Sequence, residues 1–343
     1  MKKKIFYIFI IGCLLVLPIQ FVFSNNTDRF AKGPLIGKNQ LISYLIHLCL
    51  PPATAASLGL YNLRVSTILH ITNDFTSYKL NYTNGNSKFR AALDVETYAL
   101  YYGLEFGIFR NIDLGFRLPL IFHISGFLDP YIDGFHDFFG MNHAGRPFFE
   151  HYNVFVNIRN NNNILLELDG HTYGLGDAEI WLKWQFLKMK YVKLGALWDL
   201  KLPTGSIQKL TGSSFLDFGF ALLTDIHPVW FFSMYLNNGL VIPNSVLFLA
   251  EKKSTYPMYQ GNYCFEFCPL SVFSVLIQFN FISPAYSSLQ TLYINYPLLN
   301  LLVGTRIRWE NFIFQFYFEE DIDLVGADFT INFAVEYVFK LRR

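Results

Sequence analysis

Charged residues are scarce in this chain of 343 residues. Asp, Glu, Lys and Arg together make up 15% of it, whereas 52% of the residues are hydrophobic and 18% are aromatic. Soluble domains carry about 25% charged residues. The composition is therefore unusual for a protein surrounded by water and favours an apolar environment.

Long apolar runs are also missing after the first two dozen residues. Beyond residue 24 the sequence contains no stretch of about 20 consecutive apolar residues, which argues against membrane-spanning helices. The other structure that satisfies every backbone group inside a bilayer is a closed β-barrel.

The first 24 residues, MKKKIFYIFIIGCLLVLPIQFVFS, are typical of a secretory signal peptide, with three lysines, an apolar run and a small-residue end. We expect cleavage after Ser24; an uncleaved anchor and a lipoprotein modified at Cys13 are the alternatives. Removal of three lysines and no acid changes the net charge from +1 to −2. A near-neutral exported chain is a poor binder of nucleic acid.

Cysteines are few. The mature chain keeps Cys49, Cys264 and Cys268, an odd number that excludes a complete disulfide framework. Cys264 and Cys268 lie four residues apart on one predicted strand, about 13 Å from each other, which is too far for a bridge.

The remaining sequence alternates between apolar and polar residues in about twelve runs, as the strands of an outer-membrane barrel do. Five short turns separate pairs of runs: Arg110 to Ile112, Lys188 to Lys190, His227 to Pro228, Pro269 to Leu270 and Glu310 to Asn311. Longer polar connections alternate with them: 73–88, 124–173, 204–214, 240–256, 283–294 and 322–327. The predicted strands are 60–72, 91–109, 112–123, 174–187, 191–203, 215–226, 229–239, 257–268, 271–282, 297–309, 312–321 and 328–341.

We therefore predict an all-β fold, a transmembrane antiparallel β-barrel of about twelve strands with both termini on the periplasmic side. The predicted divisions are a signal peptide (1–24), an N-terminal segment (25–59) and the barrel (60–343). Segment 25–59 lies outside the alternation and is predicted to plug the lumen or lie along the periplasmic rim. It is too short to span as a helix.

Each predicted strand has an apolar face and a polar face. In the last run, Phe329 to Phe339 supply the apolar row, and Thr330, Asn332, Glu336 and Lys340 face the other way. Trp184, Trp230 and Trp309 fall near short turns on the apolar face, where an aromatic girdle is expected. The second strand is irregular because Asp94 and Glu96 have one parity and Glu105 the other, which requires a bulge or a shifted frame.

The polar parity predicts a lumen row of charges of both signs, which we expect to pair across a narrow interior. Its members are Asp113, Arg117, Asp177, Glu179, Lys183, Lys193, Asp199, Lys201, Asp217, Asp225, Glu266, Arg306, Arg308, Glu319, Glu336 and Lys340. Individually they are expected to be structural, but as a set they would tune the selectivity for a solute.

The stretch GLGDAEIWLKWQF, residues 174–186, resembles the start of a phosphate-binding loop and carries two carboxylates. On one strand face Asp177 and Glu179 would lie about 6.5 Å apart, within the range of paired catalytic carboxylates. However, the stretch alternates strictly, and it has neither a third glycine nor a helix pattern after it. We interpret it as the fourth strand, and we predict no enzymatic activity and no cofactor.

The long connection 128–153 holds the richest polar cluster, which includes His136, His143, Arg146 and His151. Three histidines and several acids in one segment suggest metal binding, but their spacing matches no standard ligand signature. We predict no metal site and expect the segment to pack on itself or to fold into the barrel mouth.

Several of these pieces together resemble a known family. GPLIGKNQ, PPATAASLG, IDGFHDFFGMNHAGRPFFEHYN, GLGDAEIWLKW and KLPTGS are similar to the bacterial family catalogued as domain of unknown function 3187. The resemblance covers nearly the whole mature chain and implies an exported outer-membrane protein without an established activity. The Gly-x-Gly-Asp and Leu-Pro-Thr-Gly pieces also resemble, less specifically, barrels associated with the uptake of hydrophobic or aromatic compounds.

The leading functional hypothesis is passive passage or facilitated uptake of a small solute, which would be hydrophobic by the second resemblance. The alternative is a sealed structural barrel that binds an envelope partner through its long loops. The expected partners are outer-membrane lipid, the barrel assembly machinery during insertion and a small solute, but not nucleic acid.

Overall fold

The computed structural model describes residues 32–76, 81–84, 87–140, 146, 150–161, 163–244, 246–247, 252–253, 255–286, 296–322 and 327–341. The predicted signal peptide (1–24) lies outside the described residues, as does His143. No helix within these ranges is long and apolar enough to cross a membrane.

The described chain is built mainly of strands. Helix α1 is Ile42–Leu45, helix α2 is Asp129–Phe139, and a short 3-10 helix covers Ile207–Lys209. The strands are β1 (Asn62–Thr76), β2 (Asn81–Asn84), β3 (Ser87–Gly107), β4 (Ile112–Ile124), β5 (Phe155–Asn160), β6 (Asn163–Asp169), β7 (Thr172–Leu175), β8 (Glu179–Lys188), β9 (Val192–Lys201), β10 (Asp217–Val229), β11 (Phe232–Ile242), β12 (Val246–Leu247), β13 (Lys252–Lys253), β14 (Met258–Leu270), β15 (Phe273–Ile282), β16 (Leu298–Trp309), β17 (Phe312–Asp321) and β18 (Phe329–Lys340).

Twelve of these strands form a closed antiparallel ring. Its order is β1-β3-β4-β8-β9-β10-β11-β14-β15-β16-β17-β18. The first and last strands close it with an unbroken register from Asn62↔Lys340 to Asn73↔Phe329. The predicted twelve-strand all-β barrel is thus confirmed.

The two rims of the ring differ in their connections. One rim, here called the turn rim, carries the five short connections and also the start of β1 and the end of β18. The other, the loop rim, carries the long connections with β2, β5, β6, α2 and the 3-10 helix. The periplasmic orientation of the turn rim stays a prediction.

Two of the five predicted turns were misplaced, and a proline is the cause in each. Pro228 and Pro269 do not sit in turns but in register shifts near the ends of β10 and β14, and the chain reverses at 230–231 and 271–272. Proline has no N–H for the ladder, so a strand tolerates it at a bulge. Because the missing N–H also makes proline common in turns, the sequence pattern predicted a turn at each of these two prolines.

The alternation of faces is present as predicted in most strands. On β17 and β18, Phe316, Phe318, Phe333 and Val335 are exposed on the outer wall, while polar neighbours between them are buried inside. Lys340 is an error in the predicted lumen row, because it is exposed at the turn rim, where the interior ends.

The predicted bulge in the second strand is wrong. β3 pairs with β1 in continuous register from Leu93 to Phe106. Glu105 faces inward opposite Arg64, whereas Glu96 lies on the outer face and accepts hydrogen bonds from the backbone N–H groups of Phe127 and Leu128. Buried acidic residues occur on both faces of β3, because the connection after β4 covers the outer wall here.

Helix α2 accounts for that cover. Leu128 and Ile132 pack on Ile71 of β1, with Phe329 and Ile331 of β18 beside them, all on the outer wall near the loop rim. The described part of connection 128–153 therefore does not fold into the barrel mouth but lies against the outside of the barrel.

The predicted fourth strand is interrupted. Residues 172–175 form β7 and 179–188 form β8, and both pair with β4. Between them Gly176 donates its N–H to the Pro119 carbonyl oxygen. The break turns Asp177 toward the loop that follows β9.

Candidate functional site

The barrel interior is occupied by residues 32–59, here called the interior segment. It enters near the turn rim, where Arg306 donates to the carbonyl oxygens of Gly33 and Pro34 at 2.7 and 2.9 Å. It reaches the loop rim at α1, where the Tyr44 hydroxyl donates to the Tyr296 carbonyl oxygen. It then returns to the turn rim, where Ser57 bonds Asp113. We call residues 32–40 the ascending leg, 41–47 the tip and 48–59 the descending leg.

Side chains of the wall hold the descending leg by its backbone. Gln260 accepts the Leu50 N–H at 2.8 Å and donates to the Leu48 carbonyl oxygen at 2.9 Å. Asn237 accepts the Ala53 N–H at 2.8 Å and donates to the Ala53 carbonyl oxygen at 3.0 Å. Each amide matches a donor and an acceptor of the peptide backbone, as a neighbouring strand would.

The ascending leg is held by fewer but stronger contacts. Lys38 Nζ lies 2.5 Å from Glu179 Oε1, and Arg117 Nε lies 2.9 Å from Glu179 Oε2, so one carboxylate binds two cations. Asp199 is buried beside them, and neither of its carboxylate oxygens has a hydrogen-bond partner among the described residues. Leu35 and Ile36 donate their N–H groups to Gln278 and Gln315.

Lys201 is the centre of a second buried cluster nearer the loop rim. Its Nζ lies 2.6 Å from Asp177 Oδ2, 3.1 Å from Asp217 Oδ2 and 2.9 Å from the Ile46 carbonyl oxygen. Asp177 also accepts the N–H of Gly205. The cluster joins the tip of the interior segment to the loop after β9.

The other predicted lumen residues lie closer to the turn rim or on the far wall. Lys183 pairs with Glu105 and Asp113 at 2.8 and 3.2 Å. Arg306 pairs with Glu266 at 2.7 Å, and Glu336 lies 3.4 Å from Arg64. Glu319 accepts a hydrogen bond from the Asn300 side chain at 2.5 Å. Arg308 is half-buried.

These charges do not form one catalytic constellation. Asp177 and Glu179, the paired carboxylates of the sequence, bind different cations, Lys201 for the first and Lys38 with Arg117 for the second. Their arrangement stabilises the position of the interior segment.

The tip lies in an apolar cluster. Leu41, Ile42 and Ile46 pack with residues from the extended loop-rim ends of β3, β5 and β6, namely Leu93, Val95, Val156, Ile158, Leu165, Leu166 and Leu168. The tip is thus surrounded by apolar side chains on the side of β3, β5 and β6, whereas the Lys201 cluster binds the same tip from another side.

A cavity of about 70 Å³, here called the lower cavity, remains between the two legs and the wall. Lys32 and Ile36 of the ascending leg, Pro51 of the descending leg, and Arg64 and Trp181 of the wall line it. Space for the indole exists because Gly115 faces Trp181, and a Cβ there would lie 1.9 Å from an indole carbon.

The histidine-rich connection does not form a metal site in its described part. Arg146 binds Asp129 at 2.7 Å and also contacts Asp328 and Asn73. Asp133 lies 3.9 Å from Arg146 and bonds His151 at 2.9 Å, and His136 lies on α2. Across all described residues there is no group of three or more His, Cys, Asp or Glu that could hold a metal ion.

Residue-type reasoning missed the amides that hold the interior segment. Asn237, Gln260 and Gln315 were not singled out, because uncharged amides carry no recognisable catalytic signal. The sequence signal that could have identified these amides is their position on the inward face of strands whose surroundings are apolar.

The ring, the outer apolar wall and the occupied interior define an outer-membrane type of β-barrel. The chain belongs to the family described as protein of unknown function (DUF3187), whose model matches residues 10–339.

The COG4313 outer membrane channel from Pseudomonas putida F1 has a similar structure, with a TM-score of 0.58 and 12% identity over 85% of this chain and all of that chain. The Pseudomonas putida toluene transporter TodX gives a TM-score of 0.39 and 9% identity over 94% of this chain and 100% of that chain. The NanC porin gives a TM-score of 0.42 and 4% identity over 79% of this chain and 98% of that chain. No curated protein matches the sequence.

Proposed function

We propose that this protein is a passive outer-membrane channel for a small solute, in which the interior segment is a plug that moves aside. The observation that carries the proposal is the completeness of the wall. Each of the twelve strands of the ring pairs with its two neighbours in the ring, and within the described part of the chain the interior segment adds no strand to the sheet. Its displacement therefore breaks side-chain contacts but leaves the barrel closed.

The nature of these contacts supports displacement. The hydrogen bonds that the segment's backbone N–H groups donate to Gln260, Asn237 and Asp225 are exchangeable for hydrogen bonds to water, at a net cost of about 1 kcal/mol each. Both ends of the described segment lie at the turn rim. The two legs can leave through one rim without passing through the ring.

The interior chemistry favours a solute with an apolar part. A solute from the loop rim meets the apolar cluster around the tip together with the Lys201 cluster that binds the tip, and the remaining charges lie beyond them. An entirely hydrophilic solute would lose its hydration at the apolar cluster without compensation.

A reversible tether tests the proposal. The Cβ position at Gly195 lies 3.3 Å from the Ala55 Cα, so cysteines introduced by Gly195→Cys and Ala55→Cys lie close enough for an oxidative cross-link. In a planar bilayer the wild type should show discrete conductance steps. The oxidised double variant should lose them and regain them with a reductant, whereas the conductance of each single variant should be the same before and after reduction.

Two results would contradict the proposal separately. Conductance unaffected by the formed tether would show that the segment does not move. A wild type that stays silent over all voltages and solutes would favour the sealed, partner-binding barrel.

A further inference from the structure

The lower cavity has an unusual electrostatic environment. Four cations line it, Lys32, Arg64, Arg117 and Lys183, against the two acids Glu105 and Glu336. Arg117 and Lys183 have further partners outside the lining, in Glu179 and Asp113.

Lys32 differs from the other three cations. Arg64 bonds Glu105 at 3.1 Å, and Lys183 bonds the same carboxylate at 2.8 Å. Among the residues that the structure describes, none forms a hydrogen bond or an ion pair with the Lys32 ammonium group. The half-buried Lys32 is left beside like charges.

Those like charges affect the protonation of Lys32. Burial, followed by the nearby Arg308, Arg64 and Arg306 guanidinium groups, lowers the pKa of Lys32 to about 8. Glu266 acts in the opposite direction, and the guanidinium part of the effect reflects a positive potential, which favours a bound anion.

Arg64 offers a second unsatisfied donor. Its Nε is buried and makes no hydrogen bond within the described part of the chain, although it lies 3.4 Å from Glu336 Oε2. A buried N–H without a partner is unfavourable, and a hydrogen bond to an oxygen atom of an anion would remove that cost.

Much of the remaining lining is apolar, including Ile36, Pro51, Trp181 and Leu197, and the cavity is small. One water needs roughly 10–15 Å³ on this volume scale, so 70 Å³ holds about five groups of that size. A carboxylate with a short alkyl chain has this size and this division between a charged and an apolar end.

We propose that the lower cavity binds a small aliphatic carboxylate, whose oxygens meet Lys32 and Arg64 and whose alkyl chain lies against Ile36 and Trp181. The inference concerns binding and does not depend on the passage of any solute through the barrel. It adds a ligand site to a region that the proposed channel function leaves without a role.

Binding of propionate to the purified full-length mature protein in detergent tests the inference. We expect saturable broadening of the carboxyl signal of 13C-labelled propionate at pH 7, and none for propionamide, which has the same shape but no charge. Lys32→Met should weaken binding at least tenfold. Lys190→Met, which removes an exposed lysine from a turn at the same rim, should bind like the wild type.

The pH dependence separates Lys32 from other cations. Because the pKa of Lys32 is about 8, raising the pH from 7 to 9 deprotonates it, and wild-type affinity should fall about tenfold. The Lys32→Met variant should show no such fall. Equal binding by Lys32→Met and wild type, or equal binding of propionate and propionamide, would overturn the inference. So would the absence of saturable binding, even in a protein that conducts.

Discussion

The side-chain amide of Asn237 on the barrel wall accepts the Ala53 N–H and donates to the Ala53 carbonyl oxygen, so that a single side chain satisfies both backbone groups of one residue. The adjacent Asn238 faces outward, where the Tyr259 and Tyr263 hydroxyl groups donate to it. Two asparagines next to each other in sequence thus have different roles.

We predict that Asn237→Ala loosens the descending leg. The substitution removes the partner of the half-buried Ala53 N–H and carbonyl groups, at a cost of about 0.5–1.5 kcal/mol for each. Hydrogen exchange of peptides covering residues 50–57 should become at least tenfold faster. Asn238→Ala is the matched control. Equal acceleration of exchange in both variants would show that the two hydrogen bonds between Asn237 and Ala53 do not hold the descending leg.

Glu179 and Lys38 should contribute unequally. Glu179→Gln leaves Lys38 and Arg117 without their shared carboxylate, and loss of a buried ion-pair partner costs about 3–5 kcal/mol. Lys38→Met leaves Glu179 paired with Arg117 and should cost less. Denaturant unfolding, followed by the loss of the heat-modifiable form on gels, measures both. A larger effect from Lys38→Met would contradict this assignment.

Acid should release the tip. Burial lowers the pKa of His47 to about 4, Asp217 and Lys201 being the charged groups that act on it, and Tyr286 accepts or donates at its Nε2 at 2.5 Å. A lowered histidine pKa stabilises the native state above the unfolded pKa of about 6.5, and that stability is lost as the pH falls toward 4.

The loss amounts to about 3 kcal/mol at the lower pH, because folding lowers the pKa of His47 from 6.5 to about 4. Exchange of residues 41–50, corrected for the intrinsic effect of pH, should therefore rise on acidification. His47→Gln, which keeps a partner for Tyr286 but does not titrate, should remove the extra rise. An unchanged acid response in that variant would assign the effect to another group.

Arg146 should hold α2 against the outer wall. It is buried, binds Asp129 and Asp328, and lies over the Phe75 ring at 4.5 Å. Arg146→Met leaves these carboxylates uncompensated, at a cost of about 3–5 kcal/mol. Limited proteolysis should then cut within 126–139 while the barrel stays intact. Arg110→Met, at an exposed position in a turn, should leave the digestion pattern unchanged.

The sequence predicted the ring well because its signal is local. Alternation in β17 and β18 directly assigns Phe316 outward and Glu319 inward, and a closed ring is the arrangement that satisfies all such strands. Local signals failed where two structures share one residue preference. Pro228 suits a turn and a bulge equally, and only the pairing of β10 with β11 distinguishes them.

The contacts of the interior segment were beyond such reasoning. Parity gives the face of Gln260 but not its height or its direction around the ring, so its meeting with Leu48 and Leu50 depends on the path of the segment. Likewise Glu96 has outward parity but is buried, since α2 and its connection cover that part of the wall. Burial by a distant segment leaves no periodic trace in the strand itself.

The closure of the ring between β1 and β18 also bears on assembly. The interior segment precedes β1 in the chain, and β18 is the last strand, so the segment is synthesised before the seam can form. Its polar groups can meet Asn237, Gln260 and Glu179 while one side of the sheet is still open. The wall can therefore be completed around an occupant already in place, and an empty barrel is not a required intermediate of folding.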